Sequence, residues 1–118
     1  MNRKEQIRLY KETPRPAGIW RVLNTVSGKS LVGSSPNLPG ILNRQRFQLE
    51  NKTHPDGELQ KDWNELGPDA FRFETLDRLE PSGDQGDPAE DLRALKQLWL
   101  EKFAESDEPL YAQSRRGA

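Results

Sequence analysis

The chain has 118 residues, of which 32% are hydrophobic and 31% charged, and its net charge is −1 at pH 7. This length fits one ordinary domain with a small core and leaves no room for a second. The absence of cysteine excludes disulfides, thiolate zinc sites and cysteine nucleophiles, and a single histidine argues against a histidine-built metal site. No apolar run is long enough to cross a bilayer, and the first ten residues are too charged for a signal peptide. We therefore expect a cytoplasmic protein with no membrane partner.

Charge is unevenly distributed along the chain. Residues 1–60 have a charge balance of +5, whereas residues 61–118 have a balance of −6. A basic half can supply a phosphate-binding face on a nearly neutral protein, although the same segregation also arises on ordinary solvated surfaces. The basic residues within positions 1–16 form an N-terminal arm that either contacts nucleic acid or is simply a solvated terminus.

Two short apolar runs, residues 19–23 and 31–32, predict a β-hairpin because the stretch between them is rich in turn-forming residues. A helix follows and is expected to run to about Lys52, since Ser or Asn can cap its start and proline is tolerated in its first turn. Phe47 falls on the face opposite the apolar stripe, where we expect it to pack against another element or, less commonly, to contact a partner. The apolar stripe of this helix, which Gln45 interrupts, consists of Leu38, Ile41, Leu42 and Leu49.

The remaining elements are two helices and one strand. Asp56 can cap a second helix, which is expected to end at Gly67, and residues 70–76 predict a third strand whose alternation shifts at Thr75-Leu76, as it would at a bulge or at the strand's end. An acidic loop at residues 81–87 precedes a last helix that starts at Asp87. The predicted buried faces of the two helices consist of Leu59, Trp63 and Leu66 in the second, and Leu92, Leu95, Leu98, Trp99 and Phe103 in the last.

The order strand, strand, helix, helix, strand, helix predicts an α/β fold. We expect a small three-stranded antiparallel sheet flanked by helices, because this packing buries the apolar side of every element. The predicted organisation is a basic arm at residues 1–16, a single domain at residues 17–105 and a polar tail at residues 106–118.

The hairpin also carries a resemblance to a known family. Gly18-Ile19-Trp20 and Leu31-Val32-Gly33 resemble the two half-motifs of the GIY-YIG nucleases at the family's spacing, although both tyrosines are missing. The similarity extends over residues 17–103 and includes the runs 58–67 and 71–76. It implies the same small α/β fold.

The resemblance further implies a chemistry. Family members cut nucleic-acid phosphodiesters with a divalent metal: a tyrosine acts alongside the attacking water, an arginine in the first helix neutralises the phosphorane, and a later glutamate holds the metal. Charge that builds on phosphate oxygens must be met by cations, and a divalent metal needs a hard carboxylate ligand.

Each of these positions is altered in this chain. The resemblance places Trp20 and Leu31 at the two tyrosines, Ile41 at the arginine, Gln45 at a histidine of some members and Lys96 at the glutamate. The proton-transfer group, the cation and the metal ligand are therefore lost together. The resemblance thus implies a catalytically degenerate member, a pseudoenzyme that requires no cofactor.

Three functions are compatible with this pattern. The preferred hypothesis is binding of DNA or RNA, with phosphate contacts from Lys29, Arg44, Arg46 and Lys61 and with Trp20 stacking on a base. The second is a divergent Mg²⁺-dependent endonuclease whose site is rebuilt from Arg44, Arg46, Glu74 and Glu90. The third is a protein-interaction module that uses the former cleft, with Trp20 and Phe47 as apolar anchors.

Overall fold

The strands and helices follow one another in the predicted order. The structure, a computed structural model, describes residues 16–79 and 89–115. The predicted features at residues 1–15 and 81–87, and the start of the last helix at Asp87, lie outside the described residues. The elements in chain order are β1 (Ala17–Asn24), β2 (Ser30–Ser35), α1 (Leu38–Glu50), α2 (Gly57–Leu66), β3 (Phe71–Leu79) and α3 (Ala89–Glu105), with short 3-10 turns at Pro68–Ala70 and Ala112–Arg115.

The three strands form one antiparallel sheet with β1 in the centre, which confirms the predicted fold class. At Gly18 a Cβ atom would collide with the carbonyl oxygen of Asp77, so the close approach of β3 to β1 requires glycine there. The pairing of β1 with β3 slips by one residue between Ile19 and Trp20, and Leu76 is the extra residue. Of the two explanations for the shift in alternation at Thr75-Leu76, a bulge and a strand end, the structure therefore shows the bulge, and β3 continues to Leu79.

The hairpin turn is closed by local hydrogen bonds. The side-chain oxygen of Asn24 accepts hydrogen bonds from the backbone N–H groups of Val26 (3.0 Å) and Ser27 (3.2 Å). Gly28 has a φ of 79°, a left-handed conformation that glycine adopts without a steric penalty. These contacts fix the register in which β1 and β2 pair.

The sheet separates two hydrophobic cores, because neighbouring residues of a strand point to opposite faces. Ile19 and Val32 face α3, which contributes Phe103 to this second core. The first core lies on the other face, beneath α1 and α2, and consists of Trp20, Val22, Leu31, Leu38, Leu49, Leu59, Trp63, Phe71 and Tyr111. Within the described residues, none of the helices is both long enough and apolar enough to span a membrane.

Three large apolar side chains of the helices are exposed: Phe47 is 64% exposed, Leu66 43% and Leu98 55%. Leu98 follows the buried Leu92 by six residues, which places it about 240° further around the helix and away from the sheet. Leu66 is the last residue of α2, and Phe47 points outward from α1. The prediction that Leu66 and Leu98 are buried was therefore wrong, whereas for Phe47 the exposed alternative is the one the structure shows.

The chain after α3 packs along the outer edge of β2, although we expected residues 106–118 to form a polar tail. The backbone N–H of Tyr111 donates to the carbonyl of Ser30 (2.8 Å), and the Ser114 hydroxyl accepts from the N–H of Val32 (2.9 Å). Tyr111 and Ser114 are both fully buried. Residues 110–114 therefore cover an edge strand that would otherwise present unpaired backbone groups.

Candidate functional site

Three of the residues that the resemblance places at catalytic positions lie together in the first core. Trp20 and Leu31 are 0% and 1% exposed, and Ile41 of α1 packs against the same cluster. The three side chains fill the interior beneath α1 with apolar atoms, and none of them has a group that can transfer a proton. Because Trp20 is fully buried, it is not available to stack on a base or to anchor a protein partner, so both of these predicted roles are corrected.

The indole of Trp20 has no hydrogen-bond acceptor. Its Nε1 is a fully buried donor without a partner among the described residues. A buried N–H that gives up water without gaining a new acceptor lowers stability. The ring is thus held in place by packing alone.

Gln45 belongs to a buried polar network at the end of α1. Its side-chain oxygen contacts Nε2 of His54, while Nδ1 of His54 accepts a hydrogen bond from the backbone N–H of Asp56 (3.0 Å). Because Nδ1 is an acceptor, the proton of the neutral ring is on Nε2, and His54 donates to Gln45. Burial lowers the pKa of His54, although Asp56 opposes this effect. The arrangement stabilises a neutral histidine in a structural role.

The same network joins α1 to α2. The Gln60 side chain accepts a hydrogen bond from the backbone N–H of His54 (3.1 Å) and donates to the carbonyl of Leu49 (3.0 Å). Asp56 caps α2, as predicted, by accepting from the N–H of Leu59 (3.1 Å), and its second oxygen accepts from the N–H of Gln113 (3.1 Å). Gln45, the polar residue within the apolar stripe of α1, therefore belongs to a network of hydrogen bonds that connects α1, α2 and the C-terminal segment.

Lys96 lies on the buried side of α3, which packs against the second core. The residue is only 9% exposed, and burial lowers the pKa of its ammonium group. No described carboxylate forms an ion pair with it. The resemblance places a metal ligand at this position, but the ammonium group of Lys96 cannot coordinate a divalent cation as a carboxylate does.

The carboxylates of the alternative metal site do not come together. Glu74 accepts two hydrogen bonds from Arg21, through Nε (3.1 Å) and Nη2 (2.9 Å), whereas Glu90 is exposed in the first turn of α3. Among residues 16–79 and 89–115, no three side chains of the metal-binding types are grouped so that they could hold an ion. We assign no metal-dependent step to these residues.

The four basic candidates differ in whether their charged groups already contact another described side chain. Lys29 forms an ion pair with Glu58 (2.6 Å), whereas Arg44 and Lys61 are exposed and form no ion pair with another described residue. The Arg46 guanidinium lies 4.5 Å from the centre of the Phe73 ring, which holds it beside the sheet.

Arg44 and Arg46 do not point in the same direction. Residues two positions apart on an α-helix are separated by about 200° around its axis. The side chains of Arg44 and Arg46 therefore leave α1 on opposite flanks. Lys61 is on α2. The structure therefore does not gather the predicted cations into one cluster.

The sequence pattern did not identify the cluster around Tyr111. The Tyr111 hydroxyl donates to Asp62 (2.6 Å) and accepts from the amide of Asn24 (3.1 Å). Burial and the hydrogen bond to Asp62 raise the pKa of Tyr111. Lys29 also lies over the ring, 5.2 Å from its centre. The apolar pair Leu110-Tyr111, within an otherwise polar stretch, is the sequence feature that could have indicated that this segment is buried.

Comparisons with known proteins identify the fold. No protein-family model matches the chain, and no curated protein matches it. Two solved structures are similar: a mutant of the catalytic domain of the intron endonuclease I-TevI, at 18% identity and a TM-score of 0.67, and the catalytic domain of the homing endonuclease I-TevI, at 22% identity and a TM-score of 0.61. The first match covers 87% of this chain and 99% of the other, and the second covers 79% and 94%. Such similarity demonstrates a shared fold.

Proposed function

This chain has the GIY-YIG nuclease fold, and from that premise we propose that it is a nucleic-acid-binding module without the family's cleavage chemistry. One observation carries the proposal. Trp20, Leu31 and Ile41, which the resemblance places at the two tyrosines and the arginine, occupy a packed apolar interior. Phosphodiester cleavage needs proton transfer and charge neutralisation at the phosphate, and these three side chains supply neither.

The charge of the helices supports a phosphate-facing role for α1. Its charged residues are Arg44, Arg46 and Glu50, whereas α2 and α3 each contain more acidic than basic residues. Arg44 and Arg46 are exposed and form no ion pair with a described carboxylate, so their donors are available to phosphate oxygens. Lys29 is already paired with Glu58 and contributes less to binding.

A gel-shift series with plasmid, branched DNA, and single-stranded DNA and RNA tests the proposal. Each substrate is incubated with the protein at low salt in the presence of magnesium, manganese or EDTA. We expect shifted bands without cleavage in all three conditions. Metal-dependent cleavage that disappears with Arg44→Ala would overturn the proposal in favour of a divergent endonuclease, and cleavage that persists in that variant would indicate contamination.

Salt dependence tests whether phosphate contacts drive the binding. Removal of each phosphate contact should reduce the slope of log affinity against log salt by about 0.7 for single strands and about 0.9 for duplexes. Charge reversal at Arg44 and Arg46 should therefore weaken binding most at low salt. The matched control for each single reversal, Arg44→Glu or Arg46→Glu, is Arg93→Glu, which makes the same two-unit charge change on the exposed side of α3. Absence of any shift would leave the protein-interaction hypothesis, with the exposed Phe47 as its remaining anchor.

A further inference from the structure

Phe47 is an exposed aromatic residue in the middle of the most basic helix. It is 64% exposed and lies on the outer side of α1, while Leu38, Gln45 and Leu49 of the same helix are buried. A large aromatic side chain in water gives up hydrophobic stabilisation unless a partner covers it. Its position therefore suggests a ligand that uses its ring.

The surroundings of the ring indicate which ligand it fits. Arg44 precedes Phe47 by three residues and lies about 60° to one side of it, whereas Arg46 lies about 100° to the other side. The aromatic ring is thus flanked by a guanidinium on each side of the helix. A chain that crosses α1 at this point would meet a cation, an aromatic face and a second cation in succession.

The two flanking cations differ in mobility. Arg46 is stacked on Phe73, with its Cζ atom 4.5 Å from the ring centre, so its guanidinium is oriented before any ligand arrives. Arg44 is exposed and has no ion-pair partner among the described residues. One positioned and one adaptable cation suit a ligand whose negative charges repeat along a flexible chain.

We infer that α1 binds a single strand of nucleic acid that crosses the helix from Arg44 over Phe47 to Arg46, with Phe47 stacking on an unpaired base and the two arginines, which leave the helix on opposite flanks, contacting phosphates on either side of it. Alternating aromatic and cationic contacts are the means by which proteins bind single strands, because every base has a π face. A duplex hides its base faces within the stack and offers only its phosphates here. This inference rests on the proposed nucleic-acid binding and specifies its surface and the form of its ligand.

Fluorescence anisotropy with labelled oligonucleotides tests the inference. The probes are single-stranded DNA and RNA, a duplex of the same length, and a single strand of equal length built from abasic nucleotides. Phe47→Ala should weaken binding of the base-containing strands by roughly 5- to 150-fold, the effect of losing one stacked base. It should leave binding of the abasic strand unchanged, because that probe keeps the phosphates and lacks the bases.

Two controls separate the role of the ring from general effects. Leu98→Ala removes an exposed apolar side chain from α3, where acidic residues outnumber basic ones, and should change no affinity. Phe47→Trp keeps an aromatic face and should restore binding of the single strand. Because Phe47 is exposed, the urea midpoint of Phe47→Ala should equal that of the unchanged protein.

The outcomes distinguish this inference from the proposed function. If the unchanged protein binds no probe, both are overturned. If it binds but Phe47→Ala retains full affinity, or if duplex and abasic strands bind as well as the base-containing strand, the stacking surface is overturned and nucleic-acid binding remains. A selective loss that Phe47→Trp reverses supports both.

Discussion

Replacement of Tyr111 by Phe removes one oxygen atom that takes part in two hydrogen bonds. The hydroxyl donates to Asp62 at 2.6 Å and accepts from the Asn24 amide at 3.1 Å. A bond to a charged group contributes about 1.5–3 kcal/mol and a neutral bond about 0.5–1.5 kcal/mol. Asn24 is buried and its amide has no other acceptor among the described residues, whereas Asp62 is partly accessible and regains water. We therefore expect Tyr111→Phe to lower the free energy of unfolding by about 2–4 kcal/mol.

Urea unfolding followed by tryptophan fluorescence measures this loss. With an m-value of about 2 kcal/mol/M, the midpoint should fall by about 1–2 M. The control is the same change in an Asp62→Ala background, where the cost should be smaller because the charged partner is already absent. A loss below about 0.5 kcal/mol, the usual range for a surface site, would refute the conclusion that residues 110–114 belong to the folded core. An equal loss in both backgrounds would refute the coupling to Asp62.

Three further predictions follow from buried groups. Since burial lowers the pKa of folded His54, the unfolded chain takes up a proton at this residue first as the pH falls. The free energy of unfolding should therefore decline below about pH 6.5. His54→Gln should flatten this part of the profile of urea midpoint against pH. Burial also lowers the pKa of Lys96, so the unfolded chain keeps this proton to a higher pH than the folded protein does, and the free energy of unfolding should rise as the pH approaches about 10.4. Lys96→Met should abolish this rise, and it should keep or increase the urea midpoint at pH 7. Leu31→Tyr, which introduces a tyrosine at a fully buried position where the resemblance places one, should destabilise the fold by about 1–3 kcal/mol without producing nuclease activity in a plasmid assay with magnesium.

The sheet and the starts of α1 and α2 were predictable from local pattern. The hairpin followed from two apolar runs around a turn, and the cap at Asp56 followed from residue type. The shift in alternation near Leu76 was visible, but it did not distinguish a bulge from the end of the strand. The exposure of Leu66 and Leu98 was not predictable from the presence of leucine alone. An apolar residue near the edge of a helical stripe is buried only if the neighbouring element reaches it, and that depends on packing.

For the candidate site, the sequence predicted the features that depend on the chemistry of a single residue, but not those that depend on contacts between distant residues. The sequence shows that Trp20 and Leu31 carry no hydroxyl, but the complete burial of Trp20, which removes it as a stacking surface, depends on α1 and α2 covering the sheet. Gln45 looked like an interruption because its partner His54 lies on another part of the chain. Tyr111 was missed for the same reason, since Asn24 is 87 residues away from it.

The C-terminal segment along β2 has a consequence for biosynthesis. Its contacts join residues as far as 84 and 87 positions apart, such as Ser30 with Ser114, so the fold has a large non-local component. At translation rates of roughly 5–20 residues per second, Ser114 is synthesised on the order of 4–16 s after Ser35. During that interval the outer edge of β2 is uncovered on the nascent chain, and an uncovered edge can pair with strands of other chains. Aggregation of this protein in cells should therefore depend on translation speed and chaperone supply more than on the stability of the finished fold.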